Sequence, residues 1–229
     1  MKFVLSFLLL VLWMSPKTYD LTWKPKSGQE LRYTLEVKGE LSGADFRLAS
    51  DLILKVKKVE ANGDYLLGTT FKNLSMRLAG SEDKVLEEPE EVQRYDAKGQ
   101  LIGESAQDSS DDLFGELLSQ GSDITPPKSP VKLGQKWKVE YAAKPNLGLP
   151  RAETTYQLSE VREKDGRIKV TFDYHQLGDG KRMTAKGTIL LDGTDGSTLS
   201  VESRIDGMKL DADGLPGQVT VLMKLKDVR

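Results

Sequence analysis

His175 is the only histidine of the 229-residue chain, and there is no cysteine. Those two counts narrow the chemistry before anything else. Thiolate nucleophiles, thiolate metal sites and disulfides are excluded. A histidine-rich zinc site such as H-E-x-x-H needs two imidazoles one helical turn apart, so it is excluded too. A Ser-His-Asp arrangement would have to be built on His175, yet no G-x-S-x-G turn exposes a serine nucleophile. His175 lies between Tyr174 and Gln176 on the polar phase of an alternating segment, the placement of a surface histidine. Glycine loops of the Walker or G-x-G-x-x-G kind, which cradle phosphates, are absent.

Carboxylates are plentiful, and a glycosidase-type pair is the chemistry they would allow. They cluster, however, in Glu82-Asp83, in Glu87-Glu88-Pro89-Glu90-Glu91 and from Asp108 to Asp112, runs that read as solvated surface. Calcium needs oxygen ligands beside flexible glycines. Asp192-Gly193-Thr194-Asp195-Gly196-Ser197 offers that, as does Asp206-Gly207 with Asp211-Ala212-Asp213-Gly214. Neither has EF-hand spacing or its closing glutamate, and Asp-Gly is equally what hairpin turns demand. The reading is therefore no catalytic residue, no metal site and no cofactor, hence no enzyme.

The elements that would carry a site are strands. Leu31, Tyr33, Leu35 and Val37 fall on one face, with Arg32, Thr34 and Glu36 on the other. Trp137-Val139-Tyr141, Ile168-Val170-Phe172-Tyr174 and Val219-Val221-Met223-Leu225 repeat the alternation. Period two of this kind marks antiparallel strands with one buried and one wet face. Turn residues separate them at Asn62-Gly63, Lys98-Gly99, Asp165-Gly166, Asp179-Gly180 and Asp195-Gly196.

An internal repeat runs beneath this pattern. Gly28-Gln29-Glu30-Leu31 corresponds to Gly134-Gln135-Lys136-Trp137, each opening a strand. Val56 to Glu60 corresponds to Leu158 to Arg162, and Tyr95 to Leu101 corresponds to Leu191 to Leu199. Turn chemistry alone generates part of such likeness. One helix lies between the halves. Asp108 to Asp112 supplies caps and negative charge, Leu113, Phe114, Leu117 and Leu118 form a helical stripe, and Gly121 ends it. The stripe suits core packing, or a plug across a curved sheet. Ile124 to Pro130 follows as a stiff, proline-rich connector.

The chain thus divides into an N-terminal hydrophobic segment (1–18), a first β half (19–107), a helix and connector (108–130) and a second β half (131–229). The fold class is mainly β: two similar antiparallel halves, as a curved sheet, half-barrel or sandwich, with one short helix between them. About 210 residues beyond the first segment suffice for a sizeable core without disulfides.

The first segment carries an address. Lys2 precedes an apolar run from Phe3 to Met14, which Ser15-Pro16-Lys17 breaks, the shape of a secretory signal. At ~1.5 Å per residue such a run spans only roughly 18 Å, short of the ~30 Å hydrocarbon core. A buried strand or an uncleaved anchor shares the pattern, and no A-x-A step lies between Trp13 and Tyr19. Without cysteine there is no lipid attachment of the bacterial lipoprotein type. Export to the periplasm or the extracellular space is expected, with no stable membrane span in the mature protein. Net charge is −2, from 33 basic and 35 acidic side chains, so nucleic acid is not an expected partner.

The opening Trp23, Pro25, Gly28, Leu31 and Tyr33 is similar to exported bacterial β-rich proteins of unknown function. The stretch from Pro130 to Trp137 and the Leu191-to-Val201 hairpin are similar as well. More remotely, the chain resembles the half-barrels of periplasmic lipoprotein carriers, which hold acyl chains in a concave sheet. Two functions follow as expectations. The first is a non-catalytic structural or protein-interaction module of the cell envelope. The alternative is a carrier with a lipid or other apolar ligand in a concave sheet lined by Leu52, Leu54, Tyr156, Leu158, Ile168 and Val170. The partner is accordingly an envelope protein or a lipid.

Overall fold

The computed structural model describes residues 16–78, 84–86, 89–102, 113–178, 182–209 and 216–228. The apolar run to Met14, the carboxylates Glu82, Asp83, Glu87, Glu88 and Asp108 to Asp112, the Asp179-Gly180 turn and the Asp211-to-Gly214 loop lie outside these residues.

Alternation becomes strands almost wherever it occurs. β1 (Thr18–Tyr19), β2 (Glu30–Leu41), β3 (Ala44–Val59), β4 (Tyr65–Leu78), β5 (Lys84–Leu86) and β6 (Glu91–Tyr95) precede the helix α1 (Leu113–Gln120). β7 (Val131–Lys132), β8 (Lys136–Tyr141), β9 (Ala152–Arg162), β10 (Arg167–Gln176), β11 (Thr184–Asp192), β12 (Thr198–Met208) and β13 (Gly217–Val228) follow it. β1 and β7 form a small two-stranded sheet. The other eleven strands form one antiparallel sheet, which is open rather than closed into a barrel. Its order is β5-β4-β3-β2-β13-β12-β11-β10-β9-β8, with β6 pairing β4 beside β5.

Both halves are meanders, and the β2–β13 pairing splices them: Val37 pairs with Val221 and Leu35 with Met223. Register shifts interrupt the ladders, two of them between β3 and β4 and others at β9–β10, β11–β12, β12–β13 and β13–β2. Extra residues of this kind bend a strand and raise its twist, which lets a wide sheet curl. Curling gives the sheet an inside. Val37, Tyr156, Val170, Ile189 and Ile205 are all fully buried in one cluster although they come from strands across the sheet.

The paired Gly-Gln segments fold alike. Gly28 and Gly134 have φ of 83° and 81°, a left-handed conformation that favours glycine. Gly28 N–H donates to Val56 O, and Gly134 N–H donates to Leu158 O. Lys26 N–H donates to the Gln29 side chain, as Lys132 N–H does to Gln135. Gln29 O and Gln135 O then accept from Val56 N–H and Leu158 N–H.

Gly187 meets a different requirement. It lies on the inner face of β11 opposite Phe172, and a Cβ there would stand 2.8 Å from the Phe172 ring and 2.2 Å from Glu202 O. Gly187→Ala should therefore cost ~1–3 kcal/mol through overpacking. Thermal and denaturant unfolding would check it, and an unchanged midpoint would contradict the packing described.

Candidate ligand cavity

A chain without regular structure cannot cross a protein interior unless its polar backbone is satisfied. Residues 120–125, leaving α1, begin such a crossing, with Gln120, Gly121 and Ser122 buried before the chain reaches the surface at Asp123. The last helical turn closes by Gly121 N–H donating to Leu117 O, and Ser122 Oγ donates to Leu118 O. Further acceptors along it, three backbone carbonyls and the Gln120 amide oxygen, are met by side chains from the inner face of the second half. Ser203 Oγ on β12 donates to Gly121 O at 2.6 Å, and Tyr156 OH on β9 to Asp123 O at 2.9 Å. Trp137 Nε1 on β8 donates to Thr125 O at 3.0 Å, and Tyr174 OH on β10 to Gln120 Oε1 at 2.8 Å. Burial pushes the Tyr156 and Tyr174 phenols well above their ordinary range, so both remain protonated donors at neutral pH. Trp137 also stacks on Tyr156, with centroids 5.3 Å apart.

The helix is thus both core and plug. Leu117 is buried in the main cluster, while Leu118 is half-buried and faces the other half. The Leu113 and Phe114 side chains lie outside those described. Among the described residues α1 is too short to cross a membrane.

Against the first half the plug leaves a space of about 460 Å³. Its floor follows the register of β2, β3 and β4. Leu31, Leu54 and Thr69 form one row, and Tyr33, Leu52 and Phe71 the next. Leu35 and its β13 partner Met223 continue it. The roof is Leu118, Ser122, Asp123, Ile124 and Pro126. One end is aromatic. Trp23 meets Tyr65 edge-on at 5.6 Å, Tyr65 stacks on Tyr95 at 5.4 Å, and Lys98 and Gly99 stand at the rim. Burial, with Asp123 nearby, pushes the Tyr95 phenol up to about 12.

Two of the six sequence-expected lining residues, Leu52 and Leu54, are in this wall. Tyr156, Leu158, Ile168 and Val170 are instead buried in the packed core of the second half, where Tyr156 holds the roof. Tyr33, Phe71, Trp23, Tyr95 and Lys98 were missed as lining. Alternation places Tyr33 and Phe71 on strands, but nothing local says which half the plug fills. A second hollow of about 820 Å³ borders Arg182, Lys209 and Pro216, which adjoin residues outside those described.

His175 is half-exposed on the outer face of β10, its Nε2 2.8 Å from Asp173 Oδ1. Asp192 and Asp195 accept Thr194 N–H and Ser197 N–H, capping their turn. No group of three or more His, Asp or Glu residues that could hold a metal ion occurs among the described residues.

Residues 81–205 match the model of a family described as a family of unknown function (DUF6263). The chain belongs to this family. The matched stretch carries β5, β6, α1, the roof, strands β7 to β11 and most of β12 of this DUF6263 protein, whereas β2, β3 and β4 precede it. No curated protein matches the chain. Among solved structures it is similar to one titled lipid-protein interactions in lipovitellin, with a TM-score of 0.53 and 13% identity. That likeness, one of fold, covers 89% of this chain and 26% of that chain. The chain thus spans about a quarter of the length of that structure.

If the roof depends on its donors, Tyr156→Phe should cost ~0.5–1.5 kcal/mol, the net worth of the hydrogen bond it removes from Asp123 O. Ser203→Ala should act likewise through Gly121 O. Urea unfolding would measure both, and loss-free variants would show that the roof is held some other way.

Proposed function

We propose that this DUF6263 protein is a non-catalytic binder of an apolar ligand, holding an acyl chain or similar group between β2–β4 and the plug. One observation carries the reading: one half of the inner face is filled, while against the other lies a half-open apolar cavity of about 460 Å³. That volume lies within the roughly 300–1,000 Å³ of small-molecule sites. The walls are leucine, phenylalanine, tyrosine and methionine, and only Lys98 and Asp123 are charged among the lining residues. The similar lipovitellin structure concerns lipid-protein interactions and has its fold in common with this chain. The Lys2-to-Met14 segment supports export, and a periplasmic or extracellular binder is the reading it favours.

A structural or interaction module is the second reading. The packed second half favours it, as does β8, which ends the sheet and pairs only with β9. Its Lys136, Lys138 and Glu140 are exposed, however, and charges on an edge discourage pairing.

Native mass spectrometry of the purified protein, followed by solvent extraction, tests the binder. A co-purifying lipid, or stoichiometric uptake of a fluorescent fatty acid, is the expected result. Leu54→Trp and Thr69→Trp should fill the cavity and weaken uptake at least about tenfold, or ~1.4 kcal/mol. A clean mass with no uptake by the wild type would leave the module. For export, N-terminal sequencing of protein recovered from a bacterial periplasm should find a start near Lys17; cytoplasmic retention with Met1 would contradict it.

A further inference from the structure

We propose that the cavity takes a single-tailed amphiphile tail first, and that Lys98 at its rim selects a carboxylate or phosphate head group. The proposal rests on the apolar-ligand reading above and adds an orientation and a sign of charge.

Orientation follows from the unlike ends of the cavity. Tyr65 and Phe71 lie on the same strand six residues apart, so at ~3.3 Å per residue the floor runs for roughly 20 Å. At the Phe71 end the lining is Leu35, Val221 and Met223. The hydroxyls near them, Ser50 opposite Leu35 and Ser122 in the roof, already donate to Lys72 O and Leu118 O, so no charged partner receives a head group there. Charge placed there would be desolvated without a partner, which costs much more than leaving it at the open rim. At the other end come Trp23, Tyr65 and Tyr95, whose rings join an apolar body to a polar tip, and then exposed Lys98. A tail enters that way and leaves its head at the rim.

The sign follows from which groups are already engaged. Asp96, next in the turn, accepts Lys98 N–H and Gln100 N–H through one carboxylate oxygen, both at 2.8 Å. The Asp123 carbonyl accepts Tyr156 OH, and Asp123 also interacts elsewhere within the protein. No ion pair is formed by the Lys98 ammonium among the described residues. Besides the Asp96 and Asp123 carboxylates, which lie near the Tyr65 and Tyr95 phenols, the polar tips at this end are donors. Burial keeps the Tyr65 phenol protonated, and Trp23 Nε1 is buried with no acceptor. An ammonium, a phenol and an indole N–H together suit an acceptor-rich anion better than a cationic head. The indole N–H is shut off from solvent, so a ligand oxygen reaches it only as the Trp23 ring turns, which tryptophan fluorescence would register.

The test compares three probes of one chain length: a fatty acid, the matching alcohol and the matching alkyl phosphate. Binding is read by isothermal titration and by tryptophan fluorescence. Wild type should prefer at least one anion over the alcohol roughly three- to tenfold, as for a charge-assisted bond at a half-open rim. The acid and phosphate arms show which anion is meant. In Lys98→Ala the anion-to-alcohol ratio should fall towards one, and in Lys98→Glu it should invert. Added salt should narrow the wild-type ratio. A bromine near the carboxylate should quench fluorescence more than one at the chain end, and Trp23→Phe should remove that excess. Equal binding of alcohol and anions, or an unchanged ratio in Lys98→Ala, would overturn the head-group assignment alone. Stronger quenching from the chain end would overturn the orientation. No uptake of any probe would overturn the cavity reading and this proposal with it.

Discussion

An irregular stretch of backbone inside a β-sheet has carbonyls that water cannot reach, and each must be given a donor. Gln120, Gly121 and Ser122 impose that condition here, the partly covered 123–125 less so, and the architecture of the second half answers it. Trp137, Tyr156, Tyr174 and Ser203 alternate into the interior like any core residue, yet each ends in a polar tip that reaches the segment. Their rings and methylenes supply burial while their tips supply hydrogen bonds. Aliphatic residues in the same places would pack as densely and leave the carbonyls orphaned, at about 1–3 kcal/mol apiece.

Fixing the plug to one half determines what happens in the other. The sheet is continuous through β2–β13, so both halves face the same interior. Donors come from β8, β9, β10 and β12, and the plug lies against them. β2, β3 and β4 face it across a gap through leucine, phenylalanine, tyrosine and Thr69. A cavity with apolar walls on a hydrogen-bonded roof is pre-formed, and binding in it needs little further ordering.

The matched corners at Gly28 and Gly134 show why the halves look alike locally and yet differ in use. Both corners make the same set of backbone and glutamine hydrogen bonds. What differs is what each strand then faces. After the first corner Leu31, Tyr33 and Leu35 border the cavity; after the second Trp137 reaches Thr125 O and packs on Tyr156.

Much of the secondary structure was legible in the sequence, because period two is a local property that burial on one face imposes. The strands at Leu31–Val37, Trp137–Tyr141, Ile168–Tyr174 and Val219–Leu225, the helix ending at Gly121 and the Asp192 turn could all be read from neighbours in the chain. Asp-Gly turns and the outer-face phase of His175 are of the same local kind. The splice of β2 to β13 joins residues some 180 positions apart, and no local pattern encodes which two edges meet. The cavity is less local still. Leu52 and Leu54 border it while Ile168 and Val170, equally apolar and equally alternating, are sealed in the core. Sequence by itself determined which residues point inward. Only the tertiary structure decided where the plug lies, since that depends on donors from four separate strands converging on one partly buried segment.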